Sequence, residues 1–238
     1  MLESSPRSTA PIPNFYFSQE DFLASKQKGQ KWTWNVIRPE AIIGYTLKPN
    51  GMTSALTFAL YFLVCKELGT EAVMPTNERY WGGVDSISDA RLVADLTIFV
   101  STHPKCVNEA FNVNNGDPFT WRYMWPRLAE YLGAKASSEY KFEKEFPKEG
   151  ELQLEFSIAE WAKDKKEVWE RICEKEGKGM KETWDAGTWQ YLDWVFQRTW
   201  SATASISKAR KYGWTGYIDS YESITDTFKK FREVGQIP

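Results

Sequence analysis

An aromatic, β-branched run, Trp32-Thr33-Trp34-Asn35-Val36-Ile37, stops at Arg38-Pro39, and the chain then turns at Gly44. Such residues favour a strand, and Pro39, with no N–H to give to a ladder, closes it. This abrupt stop constrains the chain most, because open α/β sheets take ligands beyond the carboxyl ends of their strands. Shortly upstream lies Asn14-Phe15-Tyr16-Phe17-Ser18-Gln19-Glu20-Asp21, an aromatic cluster with one phenol followed by acids. Ser18 with Asp21 resembles a capping box and predicts a helix from Ser18 to about Lys28, closed by Gly29. Tyr16 is then expected in the loop just before the first helical turn.

Beyond Gly44, the turn signal Pro49-Asn50-Gly51 precedes an apolar helix over residues 53–68, closed by Gly69. Residues 70–84 read as a short strand and an aromatic turn, Tyr80-Trp81-Gly82-Gly83. Ser86 with Asp89 opens a helix that reaches Ser101, and residues 109–113 read as a buried strand. Helix resumes near Thr120, where Pro126 predicts a kink or a later start. From Leu132 the composition shifts to Lys and Glu with interspersed Trp, predicting amphipathic helices over 157–176, 181–200, 203–212 and 220–234. The expected organisation is a disordered lead over 1–13, an α/β segment over 14–132 and a mainly helical cap over 133–238.

Composition narrows the function. A net charge of −2 gives no field to attract nucleic acid or an anionic membrane, so neither is an expected partner. No apolar run reaches membrane-spanning length, and residues 55–65 are better read as a buried helix. Three scattered cysteines without a C-x-x-C fit a reducing, cytoplasmic setting. A single histidine, His103, leaves no material for a His-based triad or a multi-histidine metal site, so no metal ligands are assigned. Placed before Pro104, it reads as a surface cation at a helix end. Twelve tryptophans are the outlying number. Most should fill core, and the set is large enough to line an apolar small-molecule cavity as well.

The two opening motifs resemble those of the progesterone 5β-reductase and iridoid synthase-like branch of the extended short-chain dehydrogenases, N-F-Y-Y-x-x-E-D and R-P-G-x-I-x-G. Further matches follow in that family's order: Trp81-Gly82, Ser88-Asp89-Ala90, Asn108-Glu109-Ala110-Phe111-Asn112, Asn115-Gly116-Asp117-Pro118-Phe119-Thr120-Trp121, and Lys208-Ala209-Arg210 with Gly213. Each is short; in series they cover roughly residues 11–238. The resemblance implies the C-terminal part of a Rossmann-type α/β fold with a helical cap. It also implies an NADP(H)-dependent oxidoreductase acting on an apolar enone or carbonyl compound of secondary metabolism.

By position in these motifs, Tyr16 is the implied hydrogen-bond donor to the substrate oxygen. Pro39 and Ile42 are implied to face the cofactor, and Phe17, Ala41, Tyr45, Met52 and Trp81 the substrate. Three residues depart from the pattern. Phe17 replaces a second tyrosine, and Glu40 and Ala41 stand where glycine and a small polar residue are usual, so Glu40 needs a partner of its own. Family members begin with a Rossmann half-domain carrying a glycine-rich phosphate loop and a lysine that works beside the tyrosine. Here Met1 lies just before the tyrosine motif, and no G-x-G-x-x-G occurs in the chain. The phosphate-binding loop is thus expected to be absent from this chain, and the strand edges it leaves open point to self-association. Two other readings use the same residues: a cofactor-independent isomerase or cyclase, and an inactive binding remnant.

Overall fold

The computed structural model describes residues 1–7, 14–48 and 50–238. The fold is α/β. Two compact units interleave along the chain: Met1–Ile42, Ser86–Asp117 and Thr203–Asp219 form one, and Ile43–Asp85, Pro118–Ala202 and Ser220–Pro238 form the other.

The first unit is built on a parallel pair, Asn35–Pro39 against Glu109–Val113, with Ile37 opposite Phe111 and Pro39 opposite Val113. The strand therefore begins later than the aromatic run, and Pro39 is its last residue. Helix Ala90–Thr102 lays Leu92, Leu96 and Val100 on the core, where they meet Phe111, Val113, Ala209 and Trp214. That i, i+4, i+8 stripe is the amphipathic pattern of a helix covering a sheet face. Burying a ring such as Phe111 contributes about 1.5–3 kcal/mol. Trp214 can be buried because its indole N–H donates to Asp95 Oδ2 at 2.6 Å.

Several boundaries move for local reasons. Asn14, not Ser18, caps the first helix, accepting from Tyr16 N at 3.0 Å, and the helix runs Phe15–Gln27. Tyr16 thus lies inside the first turn and not in the loop before it. Asp89, not Ser86, caps Ala90–Thr102, because Ile87–Asp89 is spent as a strand. Residues 1–7 of the expected disordered lead make defined contacts: Ser205 N–H donates to Met1 O at 2.8 Å, and Asn112 N–H to Glu3 Oε1 at 2.9 Å. The remainder of that lead, 8–13, and Pro49 lie outside the described residues. His103 is half-buried and stacks on Phe99 at 5.2 Å, so its ring is not the fully exposed one expected.

The second unit surrounds helix Ser54–Leu68, buried continuously from Ser54 to Cys65 and closed by Gly69 in the left-handed conformation at φ 68°. A helix apolar all round has to be packed on every side. Helices Lys166–Glu176, Trp189–Phe196 and Ser220–Glu233 pack on it. Phe58, Trp121, Trp125 and Phe196 stack and cross at 5.4 to 6.1 Å between ring centres. Many of the tryptophans are therefore core. Trp125 and Trp169 are fully buried, their N–H groups donating to Ala72 O at 2.7 Å and Met180 O at 3.2 Å.

Helix Trp121–Tyr131 starts on time and carries Pro126 within it. Over residues 70–84, the expected short strand is reduced to a bridge between Glu71 and Lys135, and the expected aromatic turn is a short helix, Glu78–Gly82, followed by strand Val84–Asp85. The long helices expected near 157–176 and 181–200 are broken, the first after Ala162 and the second by a 3-10 segment Lys181–Ala186. Among the described residues, no helix is long and apolar enough to cross a membrane.

Candidate functional site

In the first unit the two opening motifs are physically coupled. Arg38, near the end of its strand, donates to Glu20 through Nε at 3.0 Å and through Nη2 at 2.8 and 2.9 Å. The acid of one motif holds the arginine of the other, which fixes helix Phe15–Gln27 to the strand. Arg7 adds a second tie, pairing with both oxygens of Asp21 at 2.8 Å and lying over the Phe17 ring at 4.8 Å. That pairing draws the Asp21 carboxyl below its ordinary value.

Tyr16 is 58% exposed and lies against Phe15 with ring centres 4.2 Å apart. Among the described residues its phenol oxygen has no hydrogen-bond partner. Pro39 is exposed and Ile42 is 50% exposed, whereas Phe17 and Ala41 are half-buried. These five residues share the first unit. Tyr45, Met52 and Trp81 belong to the second. There Tyr45 meets Phe231 edge-on at 6.2 Å, Met52 is exposed, and Trp81 is 5% exposed.

Glu40 has the partner its position demands. The Ser86 hydroxyl donates to Glu40 Oε2, and Glu40 N–H donates to Ser88 Oγ at 2.9 Å, which in turn donates to Val113 O at 2.8 Å. Asn115 continues the lattice, accepting from Asp89 N at 2.6 Å and donating its own N–H to Ile87 O at 2.8 Å. Both serines are almost wholly buried. The carboxylate is thus anchored inward at the carboxyl end of the parallel pair.

The sequence reading missed a polar cluster in the second unit. Asp85, 4% exposed, accepts from the Tyr80 hydroxyl and from Trp121 Nε1 at 2.9 Å, with Arg198 3.6 Å away. Arg198 also donates to the Tyr80 oxygen and lies over its ring at 4.9 Å. Burial, and then the Asp85 charge, push the Tyr80 phenol well above its ordinary value, so it stays protonated. No spacing rule joins these four residues; only the tertiary fold does.

A PRISE-like Rossmann-fold domain matches residues 1–187, more than half of the chain. The chain belongs to the PRISE-like Rossmann-fold family. The short chain dehydrogenase gsfE of Penicillium aethiopicum is 61% identical over 237 residues, covering 99% of this chain and 63% of that protein. The 3-oxo-Delta(4,5)-steroid 5-beta-reductase of Arabidopsis thaliana is 32% identical over 238 residues, covering 99% of this chain and 57% of that protein. This PRISE-like chain therefore spans about three fifths of the length of these relatives. Among solved structures, the terminal R domain from the myxalamid PKS-NRPS biosynthetic pathway superposes with a TM-score of 0.56 at 12% identity, over 99% of this chain and 54% of that one. At that identity the likeness shows the fold alone.

Proposed function

We propose that the chain serves an NADP(H)-dependent reduction of an apolar enone or related carbonyl compound of secondary metabolism, with Tyr16 as hydrogen-bond donor to the substrate oxygen. The observation that carries this reading is the state of Tyr16. A tyrosine kept for packing is buried and bonded. Tyr16 is 58% exposed and unpartnered among the described residues, on a helix tied by Glu20 to the strand that ends at Arg38-Pro39. The names of the relatives, a dehydrogenase and a steroid 5-beta-reductase, support the reaction class.

The residues present fit the ring end of a nicotinamide: Pro39 and Ile42 offer exposed apolar surface beside the end of a parallel strand. No G-x-G-x-x-G occurs in the 238 residues, so they are assigned the ring end alone. When bound, the cofactor supplies the hydride. As negative charge gathers on the substrate oxygen, the Tyr16 O–H donates to it, and one such donor is worth about 3 kcal/mol of barrier. Glu40, anchored by Ser86, repels an anionic substrate and so favours a neutral one. Phe17 and Ala41, in the same unit as Tyr16, are assigned to substrate contact by family position.

Deuterated NADPH and a panel of cyclic and acyclic enones test the reading. Deuterium at the β-carbon of the product supports it. Consumption of substrate without deuterium in the product would indicate isomerisation instead and overturn it.

A further inference from the structure

Residues of the second unit enclose a cleft of about 680 Å³, within the range of small-molecule sites. Three acids line it, Glu78, Glu139 and Glu149, against two bases, Arg79 and Arg122, so the lining carries one excess negative charge. Both bases are held by neighbours. Arg122 pairs with Glu139 at 2.6 Å and donates through Nε to Ser138 O at 3.0 Å. Arg79 donates through Nε to Pro147 O at 3.0 Å, and its guanidinium lies over the Phe146 ring at 4.6 Å. Glu78 and Glu149 are the acids left over. Both are exposed, and among the described residues neither carboxylate has a hydrogen-bond or ion-pair partner.

Tyr140, also in the lining, reports the local potential independently. Burial, and then the charges of Glu155, Glu143 and Glu71, raise its phenol above the ordinary value, so three acids outside the lining add to the negative field in the cleft. Glu155 Oε2 is buried with no hydrogen-bond partner among the described residues. Aromatic surface completes the wall. Phe146 and Trp200 stand open, 56% and 37% exposed, and Tyr140 meets Phe142 edge-on at 4.7 Å. Ring faces attract cations, so the aromatic wall and the spare carboxylates favour the same sign of ligand charge.

We propose that this cleft binds a monovalent organic ammonium, its apolar body against Trp200 and Phe146 and its charge facing Glu78 and Glu149. One excess negative charge on the lining matches one positive charge on the ligand. The site requires no nicotinamide and uses none of the residues assigned to the reduction.

Isothermal titration of the wild-type chain at low salt with 2-naphthylmethylammonium, 2-naphthylmethanol and 2-naphthoate tests this, because the three share a ring system and differ in charge. The ammonium should bind at one site per chain, about threefold to tenfold more tightly than the alcohol, the worth of two exposed ion pairs. Naphthoate should bind most weakly. Raising the salt to about 0.5 M should remove most of the preference for the ammonium. The double variant Glu78→Gln with Glu149→Gln should bring the ammonium down to the affinity of the alcohol and leave the alcohol unchanged, whereas Trp200→Ala should weaken both. Binding of the alcohol or of naphthoate as tight as that of the ammonium overturns the proposal. So does a preference for the ammonium that survives in the double variant. Both substituted acids are exposed, so the fold should be kept; where a melting curve shows otherwise, the salt series decides, and a preference unmoved by salt overturns the proposal. Tyr16→Phe should leave ammonium affinity unchanged, and loss of binding there would move the ligand to the reductase site and overturn this one.

Discussion

Arg38 and Glu20 are joined by three hydrogen bonds of 2.8 to 3.0 Å, so that the arginine closing one strand holds the acid on the second turn of the preceding helix. Two sequence motifs are in this way one structural device. Its role is to fix where helix Phe15–Gln27, and with it Tyr16, stands relative to the strand end.

Glu20→Gln should therefore cost about 1–2 kcal/mol, a figure kept low because the Arg38 side chain is 35% exposed and partly screened by solvent. Urea unfolding of Glu20→Gln, Arg38→Gln and the double variant measures the coupling directly. Additive losses would show that the pair does not act as a unit.

Helix Phe15–Gln27 buries none of its residues, and Phe15 and Phe22 are 61% and 63% exposed. Residues seven apart share a helix face. We expect concentration-dependent self-association through this face. Sedimentation velocity of wild type and Phe22→Ser compares them; equal association in both would place the contact elsewhere.

What was legible in the sequence were elements with strong local causes. Helix Ser54–Leu68 showed in its apolar run and closing glycine, and strand Glu109–Val113 in its composition. Pro39 marked the strand end. Caps differ from the sequence expectation at two helices: Asn14 takes the place of Ser18 by accepting from Tyr16 N, and Asp89 that of Ser86, because Ile87–Asp89 forms a strand. Trp121 and Arg198 join the Tyr80–Asp85 pair from 36 and 118 positions away, and Glu40 meets Ser86 across 46, distances at which no periodicity operates.

Asp85 bears on stability as Tyr16 bears on chemistry. It is paired with Arg198 in a nearly dry site, with side chains 6% and 20% exposed. Asp85→Ala should cost about 3–5 kcal/mol by stranding that guanidinium, and Tyr80→Phe about 1–3 kcal/mol. Thermal melts compare the two, and a larger loss from Tyr80→Phe would assign the cluster's weight to the phenol.

Burial raises the Cys65 thiol from an ordinary 9.0 to about 11. The folded state disfavours the thiolate, so this contribution to stability is full below pH 9 and is lost as pH rises from about 9 to about 11. The loss is on the order of 2–3 kcal/mol. Tyr61 and Tyr80, also raised by burial from an ordinary 10.0, add a fall of the same sign from about pH 10 upward. Denaturation midpoints across this range should fall less steeply in Cys65→Ala than in wild type. Parallel curves would remove Cys65 as a cause.

The most direct measurement is NADPH-dependent enone turnover alongside the thermal midpoint for wild type and Tyr16→Phe. An exposed, unpartnered phenol adds little to stability, so the midpoint should stay unchanged while turnover falls about 100-fold or more with substrate affinity little altered. Undiminished turnover in Tyr16→Phe would contradict the assignment of Tyr16, and with it the reductase reading built on that residue.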